Sequence, residues 1–252
     1  MKKTIKKENP KVNASKIKHP WRLCPPGKHW VREHSMHIPP SKKNPGGSTT
    51  IRHAHCADSP TGKDQLYPDE IQEMGEQNFS KIQNKPCSID LGFSKKYKGD
   101  QFDELIAGWT KYWNDIFKSE LPLDPNIVKA LIASESGFNP QKLANKKDKD
   151  SARGLMQVTN STRKILADEK GELKDHYLTL TREDLNDPSN NICAGIRWLF
   201  RKREIASDLL GRTASWEETI EEFKGARSTT KVRAKELIAR FNEYLGKLKK
   251  CE

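Results

Sequence analysis

The stretch DPNIVKALIASESGFNP, residues 124–140, decides the fold class. It opens with Asp124-Pro125, a helix N-cap residue followed by a proline at the first helical position, where its missing N–H is not needed. Apolar residues then recur at the 3.6-residue spacing of one helix face, and Gly137 and Pro140 supply stop signals. The stretch therefore predicts an amphipathic helix that begins at Pro125 and ends near Gly137.

Glu135 lies on the apolar face of this predicted helix, seven residues after Val128 and four after Leu131. An ionised carboxylate in an apolar environment is costly unless it is paired or protonated. Burial raises the pKa of a glutamate, which makes the side chain a proton donor near neutral pH. Spacing alone leaves two interpretations open: a catalytic acid, or an exposed or salt-bridged residue where the helix frays.

Helical patterns continue on both sides of this stretch. A stripe of seven apolar residues predicts a helix over residues 102–117, another helix is predicted to start near Asn190-Asn191, and a last one over about 229–248. No strand-like run follows Gly99. Residues 100–252 are therefore predicted to form a helical domain.

Three separated motifs in this region carry a resemblance to a known family. They are ALIASESGFNP at residues 130–140, SARGLMQ at residues 151–157 and NICAG at residues 191–195. In this order and spacing they resemble the soluble lytic transglycosylase (SLT) family, whose fold is lysozyme-like. The resemblance covers residues 102–248 and implies a mainly α protein with a lysozyme-like helical catalytic domain.

The resemblance also implies an activity and a site. The family cleaves the β-1,4 bond between N-acetylmuramic acid and N-acetylglucosamine in peptidoglycan without a catalytic cofactor. Glu135 matches its sole catalytic acid, which then acts as base toward the muramic acid 6-hydroxyl and gives a 1,6-anhydro product. The residues that match sugar-binding positions are Ser136, Ser151, Met156, Gln157 and Phe223. Plain core packing is the alternative for Met156.

The chain departs from the family at its A-Y-N-x-G motif, whose best counterpart is Glu222-Phe223-Lys224-Gly225. Phe223 has no hydroxyl to place near the acid, so that role would pass to another residue, with Tyr177 and Tyr244 nearest in sequence. Alternatively, Glu221 or Glu222 could hold a water, which would make the enzyme a hydrolytic muramidase on the same bond. A non-catalytic sugar-binding module is a further alternative.

A second region, residues 20–99, is predicted to form a small β-containing, Cys/His-rich module and linker after a basic flexible tail at residues 1–19. Alternating residues on both sides of a turn-rich segment at 38–48 predict a β-hairpin. Cys24, His29, His53 and Cys56 could supply four ligands to a structural zinc ion. The alternatives are a Cys24–Cys56 disulfide and a surface of histidines and arginines that grips an anionic polymer.

The remaining cysteines, Cys87, Cys193 and Cys251, are predicted to be unpaired, with Cys193 a small core residue.

Composition limits the partners and the location. The 252 residues carry a net charge of +12 and contain no apolar run near the roughly 20 residues that span a bilayer, which excludes an integral membrane protein. Such charge favours a polyanionic partner, and the motifs favour peptidoglycan glycan strands. A basic Cys/His nucleic-acid-binding protein is the alternative from another class, but it leaves Glu135 and SARGLMQ unexplained.

The first residues are lysine-rich but lack the apolar segment of a Sec signal peptide. We therefore expect a protein made in the cytoplasm and delivered to the cell wall, in the periplasm or outside the cell, by a secretion or phage delivery apparatus.

Overall fold

The computed structural model describes residues 21–60 and 62–251, so the tail predicted at residues 1–19 lies outside the described residues. Within those ranges the chain forms six short strands and seven α-helices. Five of the strands precede the first α-helix, and the sixth lies between the fourth and the fifth. The strands are β1 (Lys28–Val31), β2 (His34–Ile38), β3 (Ser48–Arg52), β4 (His55–Asp58), β5 (Gln65–Leu66) and β6 (Tyr177–Leu178). The helices are α1 (Pro68–Asn78), α2 (Asp103–Phe117), α3 (Pro125–Ser136), α4 (Asn160–Ala167), α5 (Pro188–Leu210), α6 (Trp216–Phe223) and α7 (Lys231–Leu248).

The first four strands form the predicted β-hairpin. β1 pairs antiparallel with β4, and β2 pairs antiparallel with β3 beyond them. Every residue of β2 and β3 is exposed, whereas β1 is half-buried. The hairpin therefore has a packed base and a tip that projects from the protein.

The base of the hairpin is fixed to the helices by a buried arginine. The Arg22 side chain is almost fully buried and pairs with both Glu70 of α1 and Asp64. A buried cation needs such partners because desolvation of an unpaired charge is costly. Arg22 therefore ties the segment before β1 to α1.

The helices predicted from apolar spacing are confirmed. α3 begins as expected, because the Asp124 side chain accepts a hydrogen bond from the Asn126 N–H (2.8 Å), and Gly137 ends it in the left-handed conformation. α5 begins at Pro188, slightly before the predicted start. Asp187-Pro188 repeats the same cap signal, with the Asp187 carboxylate accepting from the Asn190 N–H (2.9 Å).

The prediction that no strand follows Gly99 is wrong. β6 pairs in parallel with β5, which joins residues 65–66 to residues 177–178. Two residues per strand are too few for an alternating pattern, so the sequence carries no strand signal there.

The helices pack around α5, which contacts α1, α2, α4 and α6. Two tryptophans of α2 are anchored on it: the Trp109 indole N–H donates to Ser189 Oγ (2.9 Å) and the Trp113 indole N–H donates to the Cys193 carbonyl (3.0 Å). On the other side of α2, α3 packs between α2 and α7. This arrangement leaves the C-terminal end of α3 facing α5 and α6.

The hydrophobic core crosses the domain boundary predicted at residue 99. Ile71, Met74 and Phe79 are fully buried in the same cluster as Trp109. A Cβ at Gly108 of α2 would overlap the Phe79 ring, which shows how closely the two segments pack. Residues 66–99 therefore share the core of the helices that follow, and the division into domains stays a prediction.

Two disulfides join distant parts of the chain. Cys24 is bonded to Cys56, with a Cα–Cα distance of 5.7 Å, and Cys87 is bonded to Cys251. The prediction that Cys87 and Cys251 are unpaired is wrong, whereas Cys193 is confirmed as a buried free thiol. A separation of 164 residues leaves no local pattern that could reveal the second bond.

Within the described ranges, none of the helices combines the length and the apolar character needed to span a bilayer.

Candidate active site

Glu135 lies in the last turn of α3, where the helix meets the surface. Gly137 turns the chain away with a φ of +59°, and the Lys142 ammonium donates a hydrogen bond to the Glu135 carbonyl oxygen (2.8 Å). That bond satisfies one of the carbonyls that a helix end leaves without a partner. The Glu135 side chain is 20% exposed, so it is neither in bulk water nor sealed in the core.

The Glu135 side chain borders a cleft of about 480 Å³. Its walls come from α3, the segment 144–162, α5, α6 and α7. The lining residues are Glu135, Ala144, Ala152, Gln157, Val158, Thr159, Thr162, Trp198, Lys202, Phe223, Lys224 and Leu237. Apolar and aromatic walls with a few polar groups are typical of a ligand-binding cleft.

Lys224 is the nearest partner of Glu135. Its ammonium forms an ion pair with Glu135 Oε1 and also lies 3.3 Å from Ser134 Oγ. The Lys224 side chain is 8% exposed and directly follows the C-terminal residue of α6, Phe223. The sequence comparison places Lys224 within the altered A-Y-N-x-G motif, but it gives no sign of this contact.

A second ion pair lies on the same side of the cleft. Lys202 of α5 pairs with Glu222 of α6 at 3.1 Å, and its ammonium lies 5.4 Å from the centre of the Trp198 ring. Glu221, the other residue considered as a holder of water, points toward Arg227 (3.8 Å) and is not part of the cleft lining.

The segment SARGLMQ is held beside Glu135 by the NICAG motif of α5. Asn191 Oδ1 accepts from the Met156 N–H (2.7 Å), and its Nδ2 donates to the carbonyls of Arg153 (3.0 Å) and Leu185 (2.8 Å). Gly154 has a φ of +76°, and a Cβ there would overlap the Asn191 amide. The two motifs therefore form one interlocked unit, which explains their joint presence.

The predicted sugar-binding residues divide into two groups. Gln157 and Phe223 line the cleft with Glu135. Gln157 adopts a φ of +49°, and its side-chain N–H donates to the Gly154 carbonyl (2.8 Å) and the Lys142 carbonyl (3.1 Å). Gln157 therefore also ties the wall of the cleft together.

The other three predicted sugar-binding residues do not line the cleft. Ser136 is buried and its hydroxyl donates to the Ile132 carbonyl (3.1 Å). The Ser151 hydroxyl donates to the Asn145 carbonyl (3.1 Å). Met156 is fully buried, and the absence of a side chain at Gly195 makes room for it. In this structure their side chains contact the scaffold, and Met156 packs in the core, so their role in sugar binding stays a prediction.

Neither tyrosine considered as a substitute for the missing hydroxyl reaches the cleft lining. The buried Tyr177 hydroxyl donates to the Leu173 carbonyl (3.2 Å), and the Tyr244 ring packs 5.5 Å from the Phe93 ring. The Lys224 ammonium is therefore the side-chain donor that the fold brings to Glu135.

The four residues proposed as zinc ligands have other partners. Cys24 and Cys56 share a disulfide, which leaves neither thiolate to coordinate a metal. The His29 ring lies 4.4 Å from the Tyr67 ring, and His53 contacts Glu33 (2.7 Å). In the described ranges, no group of three or more His, Cys, Asp or Glu side chains is close enough to hold a metal ion. A zinc site would need the disulfide reduced, and it stays a prediction.

Comparison with protein families identifies the region that surrounds Glu135. Residues 116–220 match the family model of the transglycosylase SLT domain. The C-terminal part of this chain contains an SLT domain. The match covers under half of the chain, and it includes α3, SARGLMQ and NICAG but ends before Phe223 and Lys224. The resemblance seen in the sequence is therefore confirmed over those residues.

Neither a curated protein nor a solved structure matches the chain.

An SLT domain indicates, in general terms, a lytic-transglycosylase type of enzyme that acts on peptidoglycan at the cell wall. The helical fold described above fits that family.

Proposed function

We propose that this SLT domain cleaves the β-1,4 bond between N-acetylmuramic acid and N-acetylglucosamine, with Glu135 as general acid and then general base. The observation that carries the proposal is the composition of the cleft. Among the residues that line the cleft, Glu135 is the one carboxylate, and the lining also includes the aromatic rings of Trp198 and Phe223. Aromatic and apolar walls suit the faces of sugar rings.

The single carboxylate favours a lyase over a hydrolase. Most glycosidases use two carboxylates, one on each side of the scissile bond. Here protonated Glu135 would give its proton to the glycosidic oxygen as the C1–O bond breaks, and the resulting carboxylate would take the proton of the muramic acid 6-hydroxyl. The 6-oxygen then bonds to C1, so the product is a 1,6-anhydro sugar and no water is consumed.

The muramidase alternative has less support, because neither Glu221 nor Glu222 is among the residues that line the cleft. Glu222 contacts Lys202 at 3.1 Å, and Glu221 contacts Arg227 at 3.8 Å. The non-catalytic sugar-binding alternative is tested by the same digestion. A protein whose Glu135 stays paired with Lys224 would bind glycan without cleaving it.

The location of the reaction receives support from the cysteines. Disulfides persist in oxidising compartments and are rare in a reducing cytosol. Two disulfides therefore agree with work at the cell wall. Delivery by a secretion or phage apparatus stays a prediction, and fractionation of producing cells tests it.

The experiment is digestion of purified sacculi, with product masses measured, by the native protein and by Glu135→Gln. The amide has the same shape but carries no transferable proton, so we expect cleavage to fall by at least about 100-fold. Glu104→Gln is the matched control, because Glu104 is an exposed partner of Lys85 away from the cleft. Anhydro products, one water lighter than hydrolysis products, support the proposal.

Three results would contradict it. Cleavage by Glu135→Gln at the native rate would show that Glu135 is not the catalytic acid. Hydrated products would establish a muramidase, and binding without cleavage by the native protein would establish a sugar-binding module. Nucleic-acid binding that falls steeply with salt, with no wall clearing, would support the basic-protein alternative.

A further inference from the structure

The ion pair between Lys224 and Glu135 conflicts with the chemistry proposed for Glu135. A general acid must carry a proton to give away, whereas a carboxylate paired with an ammonium carries none. In the free protein Glu135 forms such a pair with the Lys224 ammonium. Something in the productive complex has to separate the two groups.

The charged groups around Glu135 show which one can move. Lys142 donates to the Glu135 carbonyl, and Lys202 is held by Glu222. Lys224 alone among these lysines contacts the carboxylate, and its other contact is a 3.3 Å approach to the neutral Ser134 hydroxyl. A lysine ammonium sits on a flexible four-carbon chain, so it can change partner without moving the backbone.

The exchange needs a competing anion, because moving Lys224 into the cleft without a partner would leave a desolvated charge. Glycan rings of peptidoglycan are neutral. Its free carboxylates lie on the peptide stems, each of which is joined by an amide bond to the lactyl group of a muramic acid beside the bond that is cleaved. These groups are the anions that a bound strand would bring to the cleft.

We propose that the ion pair between Lys224 and Glu135 acts as a charge lock, which keeps Glu135 from acting as the acid until a carboxylate of the bound substrate displaces it. The substrate carboxylate takes over Lys224, and Glu135 then accepts a proton from solvent and becomes the acid. The lock makes the enzyme selective for peptidoglycan that carries free carboxylates. This inference rests on the proposed function and adds the substrate class to it.

The test compares two substrates: native sacculi, and sacculi whose carboxylates have been converted to carboxamides with carbodiimide and ammonia. The native protein should cleave the amidated sacculi about tenfold more slowly, because no substrate carboxylate is then present to take Lys224 away from Glu135. Lys224→Met should cleave both substrates at rates within about twofold of each other, because no lock has to be opened. Lys224→Arg keeps the charge and should keep the preference.

Lys111→Met is the matched control, since Lys111 pairs with Asp115 on the surface of α2, away from the cleft. It removes the same charge from the protein and should keep the native preference.

The proposal would be overturned if the native protein cleaved the two substrates equally. It would also be overturned if Lys224→Met, shown to unfold at the native temperature, kept the native preference. Failure of the proposed function looks different: Glu135→Gln would stay active, or the native protein would cleave neither substrate.

Discussion

Replacement of Lys129 by methionine would remove a buried ammonium that joins α3 to α2. Lys129 lies on α3 two turns before Glu135, and its side chain is 1% exposed. Its ammonium contacts Asp103 Oδ1 of α2 (2.7 Å) and donates to the Cys87 carbonyl (2.7 Å). One side chain thus joins α3 to α2 and to the segment that carries Cys87.

Burial raises the pKa of Asp103 from 3.8 to about 6, although the contact with Lys129 lowers it. A raised pKa means that the folded protein binds this proton more readily than the unfolded chain. Asp103 therefore contributes stability that is fully present below about pH 3.8 and is lost as the pH rises through about 6. Two pK units correspond to about 3 kcal/mol.

In Lys129→Met the lowering by Lys129 disappears, so the pKa of Asp103 rises further and the loss extends above pH 6. At pH 8 the variant buries a carboxylate without its cation, and we expect a loss of about 3–5 kcal/mol in the free energy of unfolding. At pH 5 Asp103 is protonated and needs no cation. The loss should then be about 1–2 kcal/mol, from the missing hydrogen bonds.

Urea unfolding of the disulfide-bonded protein at pH 5 and pH 8 measures both values. Lys111→Met, which breaks an exposed pair with Asp115, should change stability by less than about 1 kcal/mol at either pH. A loss for Lys129→Met that is equal at the two pH values, or larger at pH 5, would refute the account of this buried pair.

Two further variants test the packing and the walls of the cleft. Gly195→Ala would place a Cβ 2.7 Å from Met156 Cβ, so we expect a loss of about 1–3 kcal/mol by urea unfolding and lower activity. Gly246→Ala of α7, whose Cβ meets nothing within 4 Å, should be neutral or stabilising, and an equal loss in both would contradict the packing argument. Trp198→Ala should raise KM about tenfold with little change in kcat, because uniform binding of a sugar ring is lost; an unchanged KM would exclude Trp198 as a sugar contact.

The parts of the fold that follow from local signals were predictable. The cap residues and stop residues of α3 act within one helical turn, so its bounds could be read from residues 124–140. α6 carries a capping box between Ser215 and Glu218, a signal that is present in the sequence but escaped the apolar-spacing argument. α4 and α6 have eight residues each, too few for a clear periodic pattern.

The site was predictable only where a motif fixes the role. Consecutive residues of a helix point about 100° apart, so Glu135 faces the cleft while Ser136 faces the core. Sequence adjacency to the acid therefore does not place Ser136 in the cleft lining, and its role in sugar binding stays a prediction. The contact between Lys224 and Glu135 joins residues 89 positions apart and depends on how α6 is placed against α3. No local pattern encodes that placement.

The bond between Cys87 and Cys251 has a consequence for resistance to proteases. Because it closes the chain over 164 residues, the whole SLT domain lies inside one covalent ring. A protease that cuts a single peptide bond within this ring leaves both ends attached, so the severed pieces can stay folded together. Such a molecule would therefore withstand a first cut by the proteases of a bacterial envelope. The same cut in an open chain would release one of the two pieces.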